Sequence, residues 1–257
     1  MRIPEDVLIP DWPAPPNVRA FMTTRAGGVS AGPYDSLNLG RSSGDAPECV
    51  EENRRLLAAR LPHAPRWLNQ VHGVEVVAAH ECSAASSTAS STIAATGAAI
   101  ADAAWTDRPG VVCAVMVADC LPVMLADRSG AAVAVAHAGW RGLAAGVIES
   151  TAHAMDCPGK DIVAWLGAAI GPEAFEVGPE VREAFVSVDP AASVAFRERA
   201  NGKYLADLFT LARQRLNALG IHAVFGGGLC TFGDPVRFYS YRRDKPTGRM
   251  AALIWRE

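Results

Sequence analysis

No Cys-x-x-Cys pair occurs among the six cysteines of this chain (Cys49, Cys82, Cys113, Cys120, Cys157 and Cys230), and their scatter reads as free thiols rather than a disulfide framework. There is no His-x-His, which removes a multicopper oxidase with its paired histidines. There is no His-x-Glu and no Pro-Cys-x-x-Cys, which removes a zinc base deaminase. No uninterrupted apolar run approaches the roughly 18 residues of a membrane span. Charge of one sign is not in excess: the formal net charge of −3 argues against nucleic acid or an anionic membrane as the main partner. Coiled-coil heptads are missing, and a monomer is favoured. The opening Met1-Arg2-Ile3-Pro4-Glu5-Asp6 has acids and a proline where a signal peptide needs an apolar segment. A cytoplasmic protein with free thiols is therefore expected.

What is present suffices for a globular fold. Half of the 257 residues are apolar. Residues 4–16 hold five prolines, and residues 1–18 read as an extended, surface-lying arm. A short strand over residues 20–24 leads to the turn Arg25-Ala26-Gly27-Gly28. Residues 47–61 read as a helix, with Val50, Leu56, Leu57 and Leu61 at helical spacing and Pro47 suited to the first turn. Residues 67–79 read as paired strands broken at Gly73. Residues 83–99 are almost entirely Ser, Ala, Thr and Gly and are expected to be a flexible surface loop. Helices are expected over residues 143–155 and 206–219, the second stopped by Gly220. Strands are expected over 162–166, 236–241 and 250–255. Strands and helices mix without strict alternation, which points to one domain of α+β or mixed α/β class.

The most informative stretch runs from Cys120 to His137. Apolar runs on either side flank Asp127-Arg128-Ser129-Gly130, a strong turn sequence. Cys120 lies seven positions before Asp127 and His137 seven after Gly130. In a hairpin without a bulge they would face each other, with Cβ atoms about 4.5–5.5 Å apart on one face. A thiolate and an imidazole so placed could share one metal ion or one proton. Pro122 weakens this register, because proline cannot donate to the ladder.

A metal would need a third ligand. Among the six histidines, His72 stands out, with polar residues before it and Gly73 after it. A His–Cys–His set with an open fourth position suits catalytic zinc. A blue-copper site would add a methionine, but nothing separates Met116 or Met124 from core methionines. Gly139-Trp140-Arg141-Gly142 is expected to open a helix, where unpaired N–H groups and Arg141 would favour an anion. Arg25, beside a glycine pair, is a second anion candidate. The run Tyr241-Arg242-Arg243-Asp244-Lys245 reads mainly as a solvated face.

Taken in order, Asn69-Gln70-Val71-His72-Gly73, Ala118-Asp119-Cys120-Leu121-Pro122 and His137-Ala138-Gly139-Trp140-Arg141-Gly142 resemble the laccase-domain or "polyphenol oxidase" family, the YfiH-like proteins. Phe21-Met22-Thr23-Thr24-Arg25, Ser36-Leu37-Asn38-Leu39-Gly40, Asn53-Arg54, Ala101-Asp102-Ala103, Ser240-Tyr241-Arg242 and Thr247-Gly248-Arg249 agree with it. Trp105, where a smaller aliphatic residue is expected, and the long Ser/Ala/Thr loop depart from it. The resemblance implies a single domain similar in core to toxin deamidases, and zinc on His72, Cys120 and His137. It further implies phosphorolysis of purine nucleosides such as adenosine, inosine and methylthioadenosine, with adenosine deamination as a side activity. The partners would be a small-molecule nucleoside and phosphate.

On that reading His72, Cys120 and His137 are both metal ligands and catalytic residues. Arg25 and Arg141 are the candidates for phosphate, and Asn38 and Arg54 for nucleoside. Two alternatives stay open. One is a metal-free cysteine hydrolase or amidase with Cys120 as nucleophile and His137 as base, for which peptidoglycan-precursor editing is one use. The other, ranked lower, is a copper phenol oxidase, with copper able to substitute for zinc at such a site.

Overall fold

The computed structural model describes residues 6–81 and 98–257. The low-complexity stretch expected to be a loop falls largely outside the described residues. Among the described residues, thirteen strands and six α-helices follow in chain order. They are β1 (Val7–Leu8), β2 (Val18–Thr23), α1 (Pro47–Ala58), β3 (Val76–Ala78), β4 (Ala103–Thr106), β5 (Cys113–Val117), β6 (Leu121–Asp127), β7 (Val133–Ala138), α2 (Trp140–Ala145) and α3 (Val147–Ala154). Then come β8 (Ile162–Leu166), β9 (Glu176–Val177), α4 (Pro179–Val186), β10 (Phe196–Glu198), β11 (Tyr204–Ala206), α5 (Leu208–Ala218), β12 (Ala223–Gly226), α6 (Tyr241–Asp244) and β13 (Met250–Arg256).

A six-stranded mixed sheet, in the order β12-β8-β6-β7-β4-β3, forms the centre of this α+β domain. A four-stranded antiparallel sheet, β1-β2-β13-β5, packs on one of its faces. The small sheet β10-β11-β9 lies to the side. Side-chain alternation explains the stacking. Along β6, Leu121, Val123 and Leu125 join the core under α3, α4 and α5. Met124 and Ala126 join the core between the two large sheets, where Met250, Ala252 and Ile254 of β13 meet them. The opposite face of β13, with Ala251, Leu253 and Trp255, packs against Leu57 of α1. Central strands buried on both faces read in sequence as continuous apolar runs, as these do.

Several expectations are corrected. The proline-rich arm is not simply surface-lying: β1 pairs with Met22 and Thr23 of β2, and Leu8, Trp12 and Ala14 pack on the core. Residues 67–79 are not paired strands. Only β3 forms, parallel to β4, while Gln70 clamps Met116 through both its amide groups (2.7 and 2.9 Å). The expected strand at 236–241 does not form: Asp234 accepts the N–H groups of Arg237 and Phe238 at a turn, and α6 begins at Tyr241. The single helix expected at 143–155 is two, α2 and α3, divided at Gly146 with φ +102°.

Candidate functional site

The β6–β7 hairpin forms, but in another register. His137 pairs with Pro122, and Leu121 with Ala138. Gly130 takes a left-handed φ of +75° and its N–H closes a turn on Asp127, yet the strands resume pairing only at Asp127 and Ala132. The loop is thus longer than the Asp127–Gly130 turn alone, and the ladder shifts by two residues. Cys120, in the bend before β6, therefore lies diagonal to His137 rather than opposite it. The period of two keeps both on the same face.

His72 arrives from the loop between α1 and β3. Its backbone is left-handed (φ +61°), a conformation tolerated by few side chains, histidine among them. This turn aims three successive N–H groups, of Val71, His72 and Gly73, at the carboxylate of Asp102 (3.1, 2.9 and 2.7 Å). Asp102 is fully buried and also lies 2.8 Å from His137 Nδ1. Burial alone would raise the Asp102 carboxyl, but His137 and the backbone donors outweigh it and hold it below the usual carboxylate range. An ionised Asp102 keeps the proton on His137 Nδ1 and leaves Nε2 as the ligand atom.

The ligand atoms of His72, Cys120 and His137 lie within 4.8 Å of one another. Cys120 Sγ is 3.7 Å from His72 Nε2, and the two imidazole rings are 4.8 Å apart at 68°. A tetrahedral zinc with bonds of about 2.0–2.3 Å would separate N and S ligands by roughly 3.5 Å. The donor set therefore fits such an ion with a small contraction. Burial alone would raise the Cys120 thiol, but His137 and His72 reverse this and bring it down to about 6. Burial would likewise lower His137, and the charges of Cys120 and Asp102 raise it to about 9. Gly139 makes room for the cluster: a Cβ there would stand 2.8 Å from Cys120 Sγ and 3.0 Å from the His72 ring. Asp119 ties down the Cys120 bend, its carboxylate accepting from Thr231 Oγ1 (2.6 Å) and the N–H of Arg242 (2.8 Å).

The three residues line a cavity of about 770 Å³ that also carries Trp140, Phe175 and Tyr241. A cavity of this size suits a small organic substrate. Arg41, Arg54, Arg141, Arg242 and Arg249 all reach its wall. Arg141 lies over the Trp140 ring (4.4 Å) in an exposed position. Arg54 is buried, donates to Leu39 O and lies 4.4 Å above the Trp67 ring; burial, with Arg41 nearby, lowers it to about 10.

A model of the family described as multi-copper polyphenol oxidoreductase laccase matches residues 19–257. The chain belongs to this family. Among relatives of this laccase-like chain, a Pseudomonas aeruginosa protein named purine nucleoside phosphorylase is 55% identical over 249 residues, covering 96% of this chain and 97% of that one. Purine nucleoside phosphorylase YfiH of Escherichia coli is 53% identical over 251 residues, covering 97% and 98%. The crystal structure of a Neisseria meningitidis protein superposes with a TM-score of 0.91 at 49% identity, covering 98% of this chain and all of that one. That of YlmD from Geobacillus stearothermophilus gives 0.84 at 30% identity, covering 100% and 98%.

Of the residues singled out in the sequence, His72, Cys120, His137, Arg54 and Arg141 are brought to one cavity. Arg25 and Asn38 are not among the residues that line it. Arg25 is spent on the carbonyls of Asp35 and Pro235 (2.7 and 3.0 Å) and on the Tyr239 ring. Asn38 is fully buried and holds the 38–45 loop through Ser43, Asp45, Gly40 and the N–H of Arg249. Met116 lines the cavity, but its Sδ faces Arg54 (3.6 Å), and Met124 is core. Asp102, Thr247 and Arg249 stand in the sequence only as parts of motifs that agree with the family, with no site role of their own. A lone aspartate between alanines and an arginine after Thr-Gly carry no spacing signal of their own. The basic run 241–245 read as a solvated face, yet Tyr241 and Arg242 line the cavity.

Proposed function

We propose that this chain is a zinc-dependent purine nucleoside phosphorylase acting on adenosine and inosine. The observation that carries the reading is the His72–Cys120–His137 cluster set in a cavity walled by arginines. Similarity to relatives named purine nucleoside phosphorylase supports it. Zinc is favoured over copper because two imidazoles and one thiolate with an open fourth position suit it, and among the described residues neither Met116 nor Met124 offers a free thioether to complete a copper set.

In phosphorolysis a phosphate oxygen bonds to the anomeric carbon of the ribose as the bond from that carbon to the purine nitrogen breaks. The bonding pair leaves with the purine, which gains a proton. Held by His72, Cys120 and His137, zinc would supply a Lewis acid beside the reacting groups. The chain's own residues do the rest. Asp102 fixes the His137 tautomer through Nδ1. Trp140, Phe175 and Tyr241 offer aromatic surface for a planar base. The cavity arginines supply positive charge for phosphate. The same Lewis acid would also suit adenosine deamination, the side activity that the resemblance implies.

A panel of nucleosides with and without phosphate, on zinc-loaded protein, tests the proposal. Consumption of adenosine and inosine only when phosphate is present supports it; base release independent of phosphate overturns it. A second reading, a Cys120/His137 cysteine hydrolase acting on amides, is favoured by the lowered Cys120 thiol. Amide cleavage that survives chelation would select that reading.

A further inference from the structure

The five cavity arginines are not equivalent. Arg41 is paired bidentately with Glu51 (2.6 and 2.9 Å). Arg242 donates Nη1 to the carbonyl of Glu176 and lies over the Phe175 ring. Arg141 lies exposed on Trp140. Arg54 and Arg249 differ, because both are anchored on the Leu39–Gly40 segment; like Arg141 and Arg242, and unlike Arg41, neither forms an ion pair among the described residues. Arg54 donates Nε to Leu39 O at 2.9 Å. The backbone of Arg249 is held beside the same segment: its carbonyl accepts from Leu39 N (3.1 Å), and its N–H donates to the side-chain Oδ1 of neighbouring Asn38 (2.9 Å). Its side chain crosses Gly40 so closely that a Cβ there would stand 2.6 Å from Arg249 Cγ. Arg249 Nη1 donates to the carbonyls of Thr247 and Gly248 (3.0 and 2.9 Å), which fixes the guanidinium plane.

Thr247 supplies the independent observation. It is 1% exposed and lines the cavity, and its Oγ1 is buried with no hydrogen-bond partner. A buried hydroxyl without a partner is costly. So are two guanidinium groups on one wall, neither of them held in an ion pair among the described residues. One ligand would satisfy all three groups: a compact oxyanion with several acceptor oxygens.

We infer that Arg54, Arg249 and Thr247 form the seat of inorganic phosphate on the Leu39–Gly40 wall of the cavity. The inference rests on the phosphorolysis reading and adds to it which residues hold the attacking anion. Arg249 stands near enough to Cys120 and Asp119 to feel their charge, so the seat adjoins the metal cluster. Arg54 and Arg249 hold two faces of the phosphate through charged donors, and Thr247 Oγ1 donates to a third oxygen. The unattached oxygen faces the ribose.

The test is binding of inorganic phosphate to the intact zinc-loaded protein by titration calorimetry, with KM for phosphate and for inosine measured in parallel. Arg249→Gln should weaken phosphate by about tenfold or more, the scale of a lost charge-assisted hydrogen bond. Thr247→Val, an isosteric change at a hydroxyl that holds nothing else, should weaken it by roughly threefold to tenfold. In both variants KM for phosphate should rise while KM for inosine stays within about twofold, a margin that non-additive packing effects allow. Arg141→Gln, at an exposed position on the wall, should weaken phosphate less than Arg249→Gln does. Turnover that requires phosphate but keeps its phosphate KM in both Arg249→Gln and Thr247→Val overturns the seat and leaves phosphorolysis standing. Loss of phosphate binding in Arg141→Gln alone overturns it as well. Turnover independent of phosphate in the wild type overturns phosphorolysis itself.

Discussion

Asp102 and His137 are joined twice. The backbone N–H of His137 donates to the Asp102 carbonyl at 2.7 Å, and His137 Nδ1 lies 2.8 Å from Asp102 Oδ1. The same carboxylate gathers the N–H groups of Val71, His72 and Gly73. One buried aspartate therefore orients both imidazoles of the cluster, one through its side chain and the other through its backbone. Asp102→Asn leaves one acceptor oxygen where two served, and puts N–H groups against N–H groups. Zinc affinity should fall by about 10–100-fold, the usual cost of losing a partner behind a metal-bound histidine. Competition with a chromogenic chelator measures it, and unchanged affinity would show that Asp102 does not orient the ligands.

Gly139 is the floor of the cluster. Gly139→Ala would place a methyl 2.8 Å from Cys120 Sγ and 3.0 Å from the His72 ring, so ligand atoms must move apart. Overpacking of this kind costs about 1–3 kcal/mol, and the cost falls on the metal-bound geometry. Elemental analysis of the purified variant should find well below one zinc per chain. Full zinc occupancy would mean that the cluster is looser than its spacing indicates.

Cys120 should be reactive without metal and silent with it. Its thiol is brought down to about 6 by His137 and His72, so it is largely thiolate at neutral pH. Iodoacetamide should label Cys120 rapidly after chelation and slowly after zinc is restored, with peptide mass spectrometry reporting the site. Equal rates in the two states would place the sulfur outside the coordination sphere.

Thr247→Val should stabilise the ligand-free protein while weakening phosphate. Removing a buried hydroxyl that has no partner relieves an unmet desolvation cost of about 1 kcal/mol. Thermal or urea unfolding without phosphate should show the gain, and added phosphate should narrow it. A loss of stability would mean that the hydroxyl already has a partner in the folded protein.

The chemistry was more legible in the sequence than its geometry. The β6–β7 hairpin was readable from Asp127-Arg128-Ser129-Gly130 between apolar runs, and it led to Cys120 and His137. Its register was not, because the ladder resumes only at Ala132 rather than directly after Gly130. The outcome survived the slip because a shift of two residues preserves the face. The break at Gly146 was hidden because α2 and α3 together keep an apolar helical pattern across it. The strand expected at 236–241 failed because Phe238 and Tyr239 are buried from within a turn, a pattern periodicity cannot separate from a strand end. Arg25 and Arg249 are both arginines near glycines. Only the tertiary placement of Tyr239 and Pro235 against one, and of Gly40 against the other, separates a structural arginine from a cavity arginine.

The most direct test of the account is phosphorus NMR of inosine incubated with zinc-loaded protein and inorganic phosphate, beside Cys120→Ala. The account predicts that ribose 1-phosphate forms with the wild type, in step with hypoxanthine release, and that both are lost in Cys120→Ala. Hypoxanthine released with free ribose and no phosphate ester, or full activity in Cys120→Ala, would contradict it.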